Sequence, residues 1–214
     1  MSSASEAQLR LSADSTQTRW RAAGQDVDCM RRAQAGDRKA LAEMVAAWQD
    51  RIYNTMRKMA GDEQEAMDLT QEAFGRAIER LESFRGESAP FSWMYRIAMN
   101  VALGRLRQKK SRRTVTASCH DREGQGEGVL ERSADASPGP AERVESRERG
   151  QLVREALQRL DEQQRALLVM RDVDGMDYQQ IAELLVTPLG TIKSRIFRAR
   201  LALRDELKDY MTRA

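Results

Sequence analysis

Apolar residues recur along this chain at spacings of three and four, the periodicity of helices that bury one face. Over residues 33–60 the set Leu41, Met44, Val45, Trp48, Ile52, Met56 and Met59 forms one such stripe. Gly61 reads as the glycine that closes this helix, and Asp62-x-x-Glu65 as a capping box that opens the next. The second helix carries Ala66, Leu69, Ala73, Phe74, Ala77, Ile78 and Leu81. Residues 84–90 interrupt the pattern with Gly86 and Pro90, and helix returns over about 91–108. This half of the chain has no convincing alternating strand signal.

From residue 111 the composition changes. Large apolar residues such as Val115, Val129 and Leu130 become sparse over residues 114–141, among Gly, Ser, Pro and charge. Such a segment cannot bury enough surface to offset its ordering entropy. It predicts a flexible acidic linker over residues 113–143, ending near Pro138-Gly139-Pro140, and the first 25 residues read as a disordered tail on the same grounds. Beyond it Val153, Ala156, Leu157 and Leu160 make a new stripe. Asp161-x-x-Gln164 caps a helix with Ala166, Leu167, Val169 and Met170. Gly175 turns the chain, and Asp177-x-x-Gln180 caps a short helix. Thr187-Pro188 reads as an N-cap with proline at the first helical position, opening a last helix that buries Leu189, Ile192, Ile196, Ala199, Leu203 and Leu207. The predicted fold is all-α, two small helical domains at residues 26–112 and 144–214 on a tether.

Composition then narrows the chemistry. A chain of 214 residues is too short for a barrel enzyme of about 250. No stretch approaches the ~18 apolar residues of a membrane span, and the amino terminus lacks the apolar segment of a secretory signal. Cys29 and Cys119 lie far apart, fitting a reducing cytosol, and the single histidine, His120, excludes paired-histidine zinc motifs. Cys119-His120 reads as a solvated linker pair, so neither metal nor cofactor is expected, and no constellation for an enzyme is visible.

The 36 basic and 33 acidic residues nearly cancel to +3, so their placement carries the information. Asp62, Glu63, Glu65, Asp68 and Glu72 form an acidic run, while Arg105, Arg107, Lys109, Lys110, Arg112 and Arg113 end the first domain without an acid. Lys193, Arg195, Arg198, Arg200 and Arg204 load the last helix likewise. Two acid-free basic stretches on two domains point to phosphate neutralisation. The final 35 or so residues form a helix-turn-helix pattern, in which Lys193, Ser194, Phe197 and Arg198 project away from the apolar stripe toward base edges. Phe84, Phe91, Trp93 and Tyr95 concentrate aromatics beside a basic helix end, which suits stacking on unpaired bases or, for Trp93 above all, core packing.

These motifs resemble a known family. Ala35-Gly-Asp-x-x-Ala40, Ala66-x-Asp68-Leu-Thr-Gln71-Glu-Ala-Phe74 and Phe84-Arg-Gly-Glu-Ser-Ala-Pro-Phe-Ser-Trp93-Met-Tyr-Arg96-Ile-Ala-x-Asn100 resemble region 2 of the extracytoplasmic-function group of bacterial sigma factors. Leu160-x-x-x-Gln164-Arg165, Asp172-Val-Asp-Gly175-Met-Asp-Tyr178 and Gly190-Thr191-Ile-Lys193-Ser194-Arg195-Ile-Phe197-Arg198-Ala199-Arg200 resemble region 4. The resemblance implies a transcription initiation factor, with core RNA polymerase (its clamp helices and flap) and promoter DNA as partners. It implies core binding through Asp68, Gln71, Glu72 and Phe74. For the −10 element it implies Phe84, Arg85, Ser88, Phe91, Trp93, Arg96, Asn100, Arg105, Arg107, Lys109 and Lys110. For the −35 element it implies Thr191, Lys193, Ser194, Arg195, Phe197 and Arg198, with Arg200 as a phosphate contact. A cognate anti-sigma factor and a cytoplasmic, nucleoid-associated location, with the anti-sigma factor as a route to the membrane, complete the expectation. Two positions depart from the family pattern: Gly104 stands where most members carry Asp, and Val186 where the turn usually has glycine. The competing reading is a helix-turn-helix regulator that acts without core polymerase.

Overall fold

The computed structural model describes residues 24–116 and 140–213, and among them every regular element is helical. The first unit contains α1 (Gly24–Gln34), α2 (Arg38–Ala60), α3 (Glu63–Glu79), a 3-10 turn (Leu81–Ser83) and α4 (Pro90–Thr116). The second contains α5 (Pro140–Arg159), α6 (Glu162–Leu168), a π-helical turn (Val169–Val173), α7 (Tyr178–Leu185) and α8 (Leu189–Arg213). Residues 1–23 of the expected tail, the central part of the expected linker, Cys119 and His120 lie outside the described residues, while residues 24 and 25 of that tail already belong to α1. Helix extends to Thr116 on one side and resumes at Pro140 on the other, four residues inside the expected linker bounds at each end. Pro140 begins α5 where proline's missing N–H costs nothing.

Residues 33–60 do not form one helix: α1 ends at Gln34, and every member of the stripe, from Leu41 to Met59, lies in α2. Gly36 adopts φ 91°, outside the range an L side chain favours, and Asp37 restarts the helix as its N-cap. The Asp37 carboxylate accepts from the Lys39 and Ala40 backbone N–H groups at 2.8 and 3.3 Å, and from Arg32 at 2.6 and 3.0 Å. Those bonds, Arg32's first, hold its carboxyl below the usual range. Gly61 ends α2 at φ 79° and Asp62 caps α3, as the spacing predicts. Asp161 caps α6, and Asp177 with Gln180 forms a complete capping box on α7.

Two expectations about the last helix are corrected. It begins at Leu189, and Thr187 donates its hydroxyl to Leu185 O at 3.1 Å instead of capping it; Pro188 O accepts from Thr191 and Ile192 at 2.9 and 3.1 Å. Leu189 is exposed, while Ile192, Ile196 and Ala199 are buried as expected.

The cores of the two units are continuous. Met59, Leu103 and Leu106 of the first pack in one buried cluster with Ala166, Leu167, Met170 and Met176 of the second. A satellite cluster of Leu157, Leu160, Leu168 and Ala199 supports α5, α6 and α8. The helices of the second unit therefore seat on α2 and α4 of the first.

Candidate nucleic-acid and protein interfaces

α8 presents the geometry of a recognition helix. With Ile192, Ile196 and Ala199 turned inward, Lys193, Ser194, Arg195, Phe197 and Arg198 are all exposed, and Thr191 is half-buried. The Ser194 hydroxyl donates to Thr191 O at 2.9 Å, which orients it along the helix. Phe197 is 63% exposed, a large apolar side chain in water with arginine next to it. Guanidinium groups match guanine edges and an apolar ring matches a thymine methyl, so this face is chemically suited to a major groove. Arg200 stands apart: its guanidinium is held by both carboxylate oxygens of Asp172, with Nε to Oδ2 at 3.1 Å, and this pairing raises its pKa. As a phosphate contact it would first have to leave Asp172.

α7 and α8 meet at Val186, which takes φ 50° and ψ 51° with 82% of its surface exposed. It is the one non-glycine with positive φ among the described residues. A β-branched residue is strained in this region, so the turn is kept despite its side chain.

The loop before α4 and the helix itself carry the second candidate DNA surface. Gln34 Nε2 donates to the carbonyls of Leu81 and Phe84 at 3.0 and 2.9 Å, fixing the start of the loop. Arg85 and Asn100 are exposed, whereas Phe84, Ser88, Trp93 and Arg96 are half-buried. Phe84 and Trp93 meet edge to face at 5.5 Å between centroids, a small half-buried aromatic platform packed against the core. Arg96 has a buried Nε with no hydrogen-bond partner. Phe91 is a correction to the expected DNA-contacting set. It is 3% exposed, stacked edgewise on Trp48 at 5.9 Å with the Arg51 guanidinium 3.6 Å from its ring, and belongs to the core. Its ring can reach no base. Farther along α4, Arg105 and Arg107 and then Lys109 project into solvent, and the α4 backbone includes Lys110.

α3 supplies the candidate protein surface. Asp68 and Gln71 are exposed, Glu72 and Phe74 half-buried, with Phe74 packed on the core. Met67 and Ile78 are exposed beside them, although the stripe assigns Ile78 to the core. A helix face with apolar Met67 and Ile78 beside Gln71 and Asp68 suits a protein better than a polyanion, and the exposure of these two is invisible in the periodicity. The acidic and basic runs, separate in sequence, meet in space: Glu72 pairs with Arg76 at 2.6 Å and Arg105 at 3.6 Å, and Glu65 with Lys109 at 2.8 Å.

Sequence reasoning assigned no role to the residues that join the two units. Arg165, 5% exposed, donates to Met59 O across the junction and to Leu157 O and Gln158 O within its own unit. Gln158 Nε2 donates to Lys58 O at 2.9 Å. Asp174 accepts from Thr55, Lys58 and Tyr95 of the first unit. Among the described residues no group of three or more His, Cys, Asp or Glu is placed to hold a metal, and no helix is long and apolar enough to cross a membrane.

Comparison with known proteins follows the same division. The family model described as Sigma-70 region 2 matches residues 44–112, and that described as Sigma-70, region 4 matches residues 150–203. The chain is 33% identical over 187 residues to the ECF RNA polymerase sigma factor SigW of Bacillus subtilis, covering 84% of this chain and 95% of that protein. It is 35% identical over 199 residues to the RNA polymerase sigma-H factor of Pseudomonas aeruginosa, covering 89% and 97%. Among solved structures it resembles RpoE of Bartonella quintana, determined with the anti-sigma factor NepR, at a TM-score of 0.59 and 22% identity over 79% of this chain and 98% of that one. CnrH, determined with the cytosolic domain of CnrY, gives the same TM-score and identity over 86% and 98%. These two likenesses concern the fold.

Proposed function

Because the chain belongs to the extracytoplasmic-function group of RNA polymerase sigma factors, we propose how its two helical units divide promoter recognition between them. A sigma factor is an initiation factor: it binds core polymerase and directs it to promoters, and the chemistry of RNA synthesis belongs to the core enzyme. The first unit, residues 26–112, takes core binding and the −10 element; the second, residues 144–214, takes the −35 element, with residues 113–143 as their linker.

Core polymerase docks on α3 through Asp68, Gln71, Glu72 and Phe74, and the exposed Met67 and Ile78 extend that patch. Phe84, Arg85, Ser88, Trp93, Arg96 and Asn100 receive a base unstacked from the −10 element. Unstacking costs a few kcal/mol, which the aromatic platform and the phosphate contacts of Arg105, Arg107, Lys109 and Lys110 must offset. Arg105 and Lys109 form ion pairs that are exposed and worth about 0–1 kcal/mol each, so phosphates can displace their carboxylate partners. Thr191, Lys193, Ser194, Arg195, Phe197 and Arg198 read the −35 element in the major groove. The protein acts in the cytoplasm at the nucleoid. A cognate anti-sigma factor restrains it, a partner consistent with the complexes in which its structural neighbours were determined.

The observation that carries this reading is the match to both regions, in order, on units whose exposed faces differ as the two tasks require. Purified chain mixed with core polymerase and fragmented DNA from its own genome should yield discrete start sites that core alone does not use. DNA binding without any association with core would instead establish the free-standing regulator.

A further inference from the structure

We propose that Gln34, the last residue of α1, is a positioning residue for the −10 element: it holds residues 84–89 in the shape that receives an unstacked base. The proposal rests on the assignment of the −10 surface given above. α1 precedes the residues matched to Sigma-70 region 2, and neither proposed DNA surface includes it. Gln34 Nε2 donates to Leu81 O at 3.0 Å and to Phe84 O at 2.9 Å, partners 47 and 50 positions away. One amide nitrogen has two hydrogens, so both ends of the turn that opens the loop hang on a single group.

The loop has few other restraints. Ser83 N donates to Arg80 O at 2.9 Å and Phe84 N to Leu81 O at 3.2 Å, which closes the 3-10 turn. At the far end Trp93 N donates to Ala89 O at 3.1 Å as α4 begins. Residues 85–88 make no hydrogen bond among the described residues, and Gly86 takes φ 77°. Phe84 therefore has its N–H tied within the turn and its C=O tied to Gln34. Its ring meets Trp93, so the backbone that Gln34 holds also sets where the aromatic platform lies.

Gln34 is itself firmly held. The turn from α1 to α2 is closed by Gly36 N to Ala33 O and Asp37 N to Arg32 O, both at 3.0 Å, and Arg32 pairs with Asp37 at 2.6 Å. An anchor on a fixed turn preorganises the loop, so capture of a base has less chain left to order. An apolar side chain at this position would remove the donor from both carbonyls and free the loop to leave its competent shape. A carboxylate of the same shape would do so too, since it only accepts.

The test compares the full wild-type chain with Gln34→Leu and Gln34→Glu, which lack the donor, and Gln34→Lys, which keeps one. Backbone order parameters from nitrogen-15 relaxation of the free chain should fall over residues 84–89 in the first two and stay near wild type in the third. The DNA probes are a fork-junction duplex with a single-stranded −10 segment and a −35 duplex, both taken from a start site mapped with wild-type chain and core polymerase. A loop that holds its competent shape one-tenth of the time binds about tenfold more weakly. With core present, Gln34→Leu and Gln34→Glu should lose about that factor on the fork junction, with core binding and −35 duplex binding unchanged, and Gln34→Lys should recover most of the loss. Unaltered order parameters or fork affinity in Gln34→Leu would overturn the proposal. So would equal losses on the fork and the −35 duplex, or Gln34→Lys as impaired as Gln34→Leu. Absence of any start site with wild-type chain and core would count against the sigma-factor reading, and the relaxation measurement would still decide whether Gln34 holds the loop.

Discussion

Val186 and Gly104 show how single positions can oppose the structure that contains them. At Val186 the αL backbone costs about 1–3 kcal/mol for a β-branched residue, and 82% exposure means that packing recovers little. Val186→Gly removes this strain but adds about 0.4–1 kcal/mol of unfolded-state entropy. The variant should be more stable by about 1 kcal/mol, measured by urea denaturation, with helix content unchanged. Gly104 sits inside α4, and a Cβ there would meet nothing within 4 Å. Gly104→Ala should therefore stabilise by about 0.5–1 kcal/mol in the same assay. Both positions were conspicuous in the sequence as departures from the family pattern. Their conformation and surroundings were not, because φ and free space depend on how the neighbouring helices meet.

Among the elements, α8 turns an exposed basic face away from buried Ile192, Ile196 and Ala199, and that face can be tested without disturbing the core. Arg198 makes no ion pair among the described residues, donating only to Ser194 O at 3.5 Å. Arg198→Ala should weaken binding to a −35 duplex by about 1–3 kcal/mol and leave binding to core polymerase unchanged, both readable by fluorescence anisotropy. Elements such as this one were legible where local chemistry decides them. Asp62, Asp161 and Asp177 cap α3, α6 and α7 as their spacing indicates, because a cap involves residues only two or three apart. The break at Gly36 and Asp37 went unread because the apolar stripe begins only at Leu41, beyond the turn, so its period carries no information about where α2 starts. Phe91, Ile78 and Leu189 were misplaced for a related reason. Whether an apolar residue is covered depends on where a distant helix lies, and a stripe marks only a direction. The same limit kept Arg165 and Asp174 out of sight, since their partners are about 106 and 79–119 positions away in sequence.

At the scale of the whole molecule, near-neutrality is partly an internal arrangement. Glu65 and Glu72 face Lys109 and Arg105 across α3 and α4, and Asp172 holds Arg200. Each pair ties an acid to a base proposed for nucleic acid, so DNA must compete with a carboxylate at these positions. The π turn at Val169–Val173 adds a consequence of a different kind. Asp174 N donates to Val169 O at 2.8 Å, the five-residue spacing that holds one residue more than an α-turn does. Successive residues of an α-helix are about 100° apart around the axis. Deleting one residue there would restore ordinary winding and swing Asp174 by about that angle, away from Thr55 and Tyr95, with every residue of that contact still present. Contact between the units thus depends on a count of residues as much as on their identity, and a sequence comparison scored by substitutions alone would pass over the change that matters.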